Sequence, residues 1–118
     1  MTRAIDGGAV FTALDVEASE YLPNRGVWLR GLLGKVRGNT FGLYHGRIEP
    51  GCAIAREVHP ETAETVYVLK GEAVALVGEG EVPLGPGQGV HVKMGVPHGL
   101  RNVGAGDLEF LVLGHPDF

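Results

Sequence analysis

Four side chains able to hold a divalent cation fall at usable spacings between residues 57 and 98: Glu57, His59, Glu64 and His98. Imidazole nitrogens and carboxylate oxygens suit Fe, Mn, Ni or Zn, and three or four of them leave coordination positions open for water or substrate. Glu57 and His59 are two residues apart, so on one strand both point to the same face. Glu64 follows past the turn-like segment Pro60-Glu61-Thr62-Ala63, with Val66 and Val68 on its own side of the next strand. His98 arrives much later, after a glycine-rich turn, and Asn102 lies four residues further on with the same parity. If the face shared by Glu57 and His59 looks into a barrel, Glu64 from a paired strand and His98 from the opposite sheet converge there.

The elements that must do this positioning are strands. From residue 25 onward short β-rich runs alternate with turn residues: 25–33, 40–48, 53–59, 65–71, 73–78, 89–93, 98–103 and 108–114. Gly34, Pro50-Gly51, Gly78, Gly85-Pro86-Gly87, Gly95 and Gly104-Ala105-Gly106 punctuate them as turn formers. No segment of helical length carries a 3.6-residue apolar stripe, so the reading is an all-β sandwich or barrel over 25–118. Residues 1–24 are the least patterned and read as a short N-terminal arm of the same domain. Within it, residues 15–24 are either one helical turn stopped by Pro23 or an extended segment. The run Thr65-Val66-Tyr67-Val68-Leu69 is apolar on both faces and reads as a strand covered on both sides. The glycine-rich stretch 78–89 reads as turns.

Composition narrows the function classes. The chain has 118 residues, 44% apolar and 20% charged, which suits one globular domain and not a disordered chain. Its formal net charge is −4, so the basic face of a nucleic-acid binder is not expected. No apolar run is long enough to cross a membrane as a helix, and Cys52 is the single cysteine, so no intrachain disulfide forms. A cytoplasmic protein is the expectation.

The spacing of these residues resembles the two motifs of the cupins. Gly51 is followed after five residues by Glu57-Val58-His59, after four more by Glu64, and after six more by Gly71. Gly87 is followed after five residues by Lys93-Met94-Gly95, after two more by His98, and after three more by Asn102. The resemblance implies a double-stranded β-helix, the cupin jelly-roll barrel. It also implies a mononuclear metal site of His59, Glu64 and His98. Two positions depart from the family pattern. Glu57 stands where the family has its first metal-binding histidine, and Lys93 stands where it has proline. A carboxylate also ligates divalent metal, so Glu57 reads as a fourth ligand, or as a general base beside the ion. The extra oxygen donor favours Mn or Fe over Cu(I). Lys93 reads as a solvated lysine at a strand end.

The implied activity is that of a metalloenzyme on a small organic molecule, of dioxygenase, isomerase, decarboxylase or cyclase type. A non-catalytic ligand-binding or metal-sensing cupin is one alternative. A metal-free, sugar-epimerase-like cupin using a His/Tyr pair is another. Protection of edge strands suggests a homodimer, with the N-terminal arm crossing over. Outside the cluster, His45 and His91 read as surface or packed histidines and His115 as solvated. Tyr44, Arg56 and Tyr67 read as ordinary strand residues, with lining of a pocket as the alternative, Cys52 as a small buried residue and Trp28 as packing. Asn102 reads as structural, bonding a neighbouring backbone. No phosphate-binding glycine loop or G-x-S-x-G elbow is present.

Overall fold

Period-two alternation of apolar residues sets which way each segment faces. In the computed structural model, which describes residues 2–35 and 38–118, all eight β-rich runs form strands. They are β4 (Val27–Leu33), β5 (Gly42–Ile48), β6 (Ala53–Glu57), β7 (Ala63–Lys70), β8 (Ala73–Val77), β10 (Gly89–Val92), β11 (His98–Asn102) and β12 (Leu108–His115). Four others complete the set: β1 (Thr2–Ile5), β2 (Gly8–Phe11), β3 (Ser19–Glu20) and β9 (Gly80–Leu84). Every pairing is antiparallel, in a six-stranded sheet ordered β10-β7-β12-β5-β4-β3 and a four-stranded sheet ordered β6-β11-β8-β9. The two sheets face each other as the cupin jelly roll, and β1–β2 form a separate hairpin.

The core between the sheets is built from inward positions of both. Val27, Ile48, Val68, Leu108 and Phe110 are fully buried, and each contributes about 1.5–3 kcal/mol on burial. Phe110 is accommodated because residue 46 is glycine: a Cβ there would collide with the Phe110 ring. Asn102 ties the sheets to a turn, as its residue type suggested. Its amide donates to the carbonyls of Ile48 and Gly106, both at 2.9 Å, and its oxygen accepts from the Gly104 N–H. At 4% exposure, it satisfies its polar atoms within the fold.

Three local expectations are corrected. Residues 65–69 are covered on one face only: Val66 and Val68 are buried, whereas Tyr67 and Leu69 are 45% and 42% exposed. The outer face of the six-stranded sheet is open there, and aromatic and apolar residues suit such a half-exposed pleated surface. The stretch read as turns contains β9, an edge strand paired with β8. Its Gly, Glu and Pro83 are poor strand formers, and proline is tolerated because the strand is at an edge. The arm carries more structure than an extended segment. Its hairpin turns at Asp6-Gly7, both with positive φ, a two-residue turn suited to Asp-Gly. A single 3-10 turn at Ala13–Asp15 precedes β3, which joins the six-stranded sheet. Among the described residues no helix is long and apolar enough to cross a membrane.

Candidate metal centre

Three separate segments bring the four sequence-selected residues to one place. Glu57 ends β6, His59 lies just beyond it, Glu64 is near the start of β7 and His98 opens β11. Pairing of β11 with β6 puts His98 opposite Glu57. This reverses the expected assignment: His98 comes from the paired strand and Glu64 from the opposite sheet, where its inward neighbours Val66 and Val68 continue into the core. The loop before His98 is tied down from both sides: Gly95 N–H donates to the His59 carbonyl at 2.9 Å, and Gly78 N–H donates to the Pro97 carbonyl at 2.7 Å. Gly95 has φ +76°, a conformation that glycine adopts without strain.

One ligand atom from each of the four residues lies within 4.8 Å of every other. His59 Nε2 is 3.3 Å from Glu57 Oε1 and 3.6 Å from Glu64 Oε1, and His98 Nε2 is 3.3 Å from Glu64 Oε1. Glu64 and His98 are buried, while Glu57 and His59 are half-buried. The Nδ1 of His98 lies 2.9 Å from the Val96 carbonyl, an acceptor only, so Nδ1 carries a hydrogen and Nε2 is the atom turned to the cluster. The hydrogen bond with Glu64 raises the His98 pKa above its ordinary value. Burial opposes that shift, and the Val96 carbonyl and the charges of Glu64 and Glu57 add to it.

A cavity of about 60 Å³ adjoins the cluster, with Glu57, His59 and Glu64 on one side and Leu29, Ile54 and Val112 on the others. Three further wall residues, Tyr21, Tyr44 and Phe118, lay outside the site as read from sequence. The Tyr21 hydroxyl donates to Glu57 Oε2 at 2.8 Å. Burial, that bond and the negative charges of Glu57 and Glu64 push its pKa well above the ordinary phenol range, so it stays a donor. Tyr44, read as an ordinary strand residue, faces inward on β5. Its hydroxyl donates to Asp117 Oδ1 at 2.6 Å, and burial together with this bond and charge pushes its pKa up to about 12. Inward parity with Gly46 and Ile48 was the available signal for Tyr44; nothing in the arm or the tail marked Tyr21 or Phe118.

The remaining candidates lie elsewhere. His45 is buried with Nε2 3.4 Å from Glu109 Oε1, whereas His91 is exposed and bonded to Thr65 Oγ1 at 2.8 Å. His115, Lys93, Arg56 and Tyr67 are exposed. Cys52 is half-buried against the core, and Trp28 donates through Nε1 to Glu49 Oε2 at 2.9 Å.

The donor set fits a single divalent ion. Atoms bound about 2.0–2.2 Å from one ion sit roughly 3.0–3.5 Å from their neighbours in its shell. Two close pairs, both at 3.3 Å, fall within that range, and the third, at 3.6 Å, lies just beyond it. The chemistry is also that of a metal site, with two neutral-capable imidazoles and two carboxylates around one point.

Comparison with known proteins gives a consistent answer. A model of the cupin domain matches residues 44–114. An oxalate-binding protein of Thermotoga maritima is 29% identical over 113 residues, covering 86% of this chain and 93% of that protein. A polyketide synthase component, CurC of Streptomyces cyaneus, is 40% identical over 94 residues; the match covers 75% of this chain and only 60% of CurC. Among solved structures, a protein described as a predicted oxalate decarboxylase from Thermotoga maritima superposes with TM-score 0.83 at 25% identity, covering 91% and 98% of the two chains. The polyketide cyclase RemF of Streptomyces resistomycificus shares the fold, with TM-score 0.77 at 23% identity and coverage of 89% and 77%. With the motif residues in register, the jelly roll around them and a domain model spanning most of the barrel, this chain is a member of the cupin superfamily.

Proposed function

We propose that this cupin is a mononuclear metalloenzyme acting on a small organic molecule, with the ion held by Glu57, His59, Glu64 and His98. The observation that carries the reading is the meeting of four donors from three separate segments, three of which, Glu57, His59 and Glu64, stand on the wall of a largely apolar cavity. A divalent ion bound there supplies Lewis acidity and a template for the oxygen donors of a ligand. The Val96 carbonyl keeps His98 Nε2 aimed at the cluster. Tyr21 holds the Glu57 carboxylate and presents a proton at its hydroxyl. Where Glu57 is not coordinated it serves as general base on a ligand in the cavity, to which Leu29, Ile54 and Val112 give an apolar wall. The two carboxylates favour Mn or Fe over softer ions, with Ni and Zn also compatible.

The names of the relatives support decarboxylase and cyclase chemistry, within a set that also includes isomerases and dioxygenases. Elemental analysis of protein purified without added metal is the first test, followed by oxygen uptake and product analysis across diketones, catechols, thiols and oxalate. One ion per chain with turnover supports the proposal; protein that neither carries nor takes up a divalent ion overturns it. A second reading, a binding protein without turnover, is favoured by the oxalate-binding relative. It predicts bound metal and bound ligand with no product. Activity on a sugar substrate without any ion would instead support the epimerase-like reading. We also propose a homodimer. The hairpin of β1 and β2 pairs with no other described strand and leaves Ile5 and Val10 52% and 41% exposed, which supports an arm reaching a second copy. A monomer by sedimentation at micromolar concentration would reject it.

A further inference from the structure

Phe118 stands between two cavities. The inner one, about 60 Å³, is the space beside the donor cluster. The outer one, about 690 Å³, is an open bowl whose wall includes Lys35, Asn39, Thr40, Glu61 and Thr62. Among the described residues, His59 and Phe118 alone line both. The Phe118 ring sits edge-on to His59 with centroids 4.9 Å apart and edge-on to Tyr44 at 5.7 Å. Of the two, His59 contacts Glu57 and Glu64 through Nε2, whereas the Phe118 ring is held by no polar bond of its own.

The ring and its neighbour occupy a seat shaped for them. A Cβ at residue 114 would strike the Phe118 ring, a Cβ at residue 42 would strike the Asp117 carboxylate, and one at residue 34 would lie 2.7 Å from it. Glycine at these three positions makes the room. Asp117 then latches the segment: Oδ1 accepts from the Tyr44 hydroxyl at 2.6 Å and Oδ2 from the Lys35 N–H at 3.0 Å. Phe118 itself stays 39% exposed, so no deep burial holds the ring and the latch is what keeps it in place.

We infer that Phe118 is a specificity-determining residue: its seated ring limits ligands of the inner cavity to a few heavy atoms, and larger ligands reach into the outer bowl only when the ring leaves its seat. The inner space holds only a handful of water-sized positions, far below the roughly 300 Å³ at which pockets for drug-sized ligands begin. Joined to the bowl, the same site takes a flat ring system that carries its oxygen donors at one end. This inference rests on the proposed metal site for its ligand-binding arm, but not for its access arm.

Two measurements test it. With the Ni(II)-loaded protein, acetohydroxamate and 2-naphthohydroxamate serve as compact and extended oxygen ligands. Phe118→Ala is expected to tighten the extended ligand by about tenfold or more and to change the compact one by less than about threefold. Asp117→Ala, which unlatches the ring without removing it, is expected to move in the same direction by less. Unchanged affinity for the naphthyl ligand in Ni-loaded forms of both variants overturns the inference. In metal-free protein, diethyl pyrocarbonate labelling of His59, normalised to exposed His91, is expected to rise about fivefold or more in Phe118→Ala. If the protein takes no Ni(II), the metal proposal fails and labelling alone decides. Faster labelling of His59 supports the partition, and equal rates overturn it.

Discussion

The two ends of the barrel are made by the same strands and have opposite character. Along the inward face of β7, Glu64 gives way to Val66 and Val68; along β12, Val112 beside the cavity gives way to Phe110 and Leu108. At the closed end the buried atoms are apolar and dispersion and hydrophobic burial hold them. At the other end two carboxylates and two imidazoles share a half-buried space and, with no cation, have mainly each other and Tyr21 as partners. Stability is concentrated at one end and chemistry at the other, an arrangement that lets a costly polar cluster persist on a secure base.

Truncation at the closed end should give the largest effect. Phe110→Ala is expected to lose about 3–5 kcal/mol in urea unfolding, and a loss below about 1 kcal/mol would erase the contrast between the ends. At the other end, Glu64→Ala and His98→Ala should each remove most bound metal, with a loss exceeding the roughly 10–100-fold typical of an outer-sphere partner. Far-UV circular dichroism of both should keep its strand signal. Full metal content in both variants would sink the ligand assignment.

A smaller effect is expected from pH. His98 has a raised pKa in the folded state, so its bond to Glu64 stabilises metal-free protein fully below the unfolded value of about 6.5 and is lost as pH rises through the higher folded value. The urea midpoint of metal-free protein should therefore fall over that window, and His98→Gln should flatten the response. Metal-loaded protein should behave in the opposite sense, because protons compete with the ion for the same nitrogens and oxygens. Parallel curves for the two forms would contradict a shared site. The mildest change is Glu57→His, which matches the family pattern. Calorimetric titration with Fe(II) or Zn(II) should find affinity equal or tighter; a product that binds neither would count against Glu57 as a ligand position.

What could be read in advance followed from periodicity and spacing. The eight strands with alternating apolar residues were legible, and so was the grouping of Glu57, His59, Glu64 and His98 from their spacing, but not its route: His59 lies beyond the end of β6, His98 is on the strand paired with β6, and Glu64 is on the opposite sheet. β9 was hidden because Gly80, Glu81 and Pro83 are poor strand formers, and its pairing with β8 overrides them. The exposed side of Tyr67 and Leu69 was misread because apolar residues on an open sheet face look like those of a buried strand. Tyr21 and Phe118 were beyond reach. Each arrives from an irregular segment whose path depends on tertiary contacts, one through the Glu57 bond and the other through the Asp117 latch.

The wall of the inner cavity is drawn from two parts of the chain. All four donors fall within the segment matched by the cupin domain model, residues 44–114, but Tyr21, Leu29 and Phe118 come from outside it. Substitutions in the flanks can therefore reshape the chamber without touching the four clustered side chains. Shortening this chain to the common domain would leave every donor in place and dismantle the chamber around them.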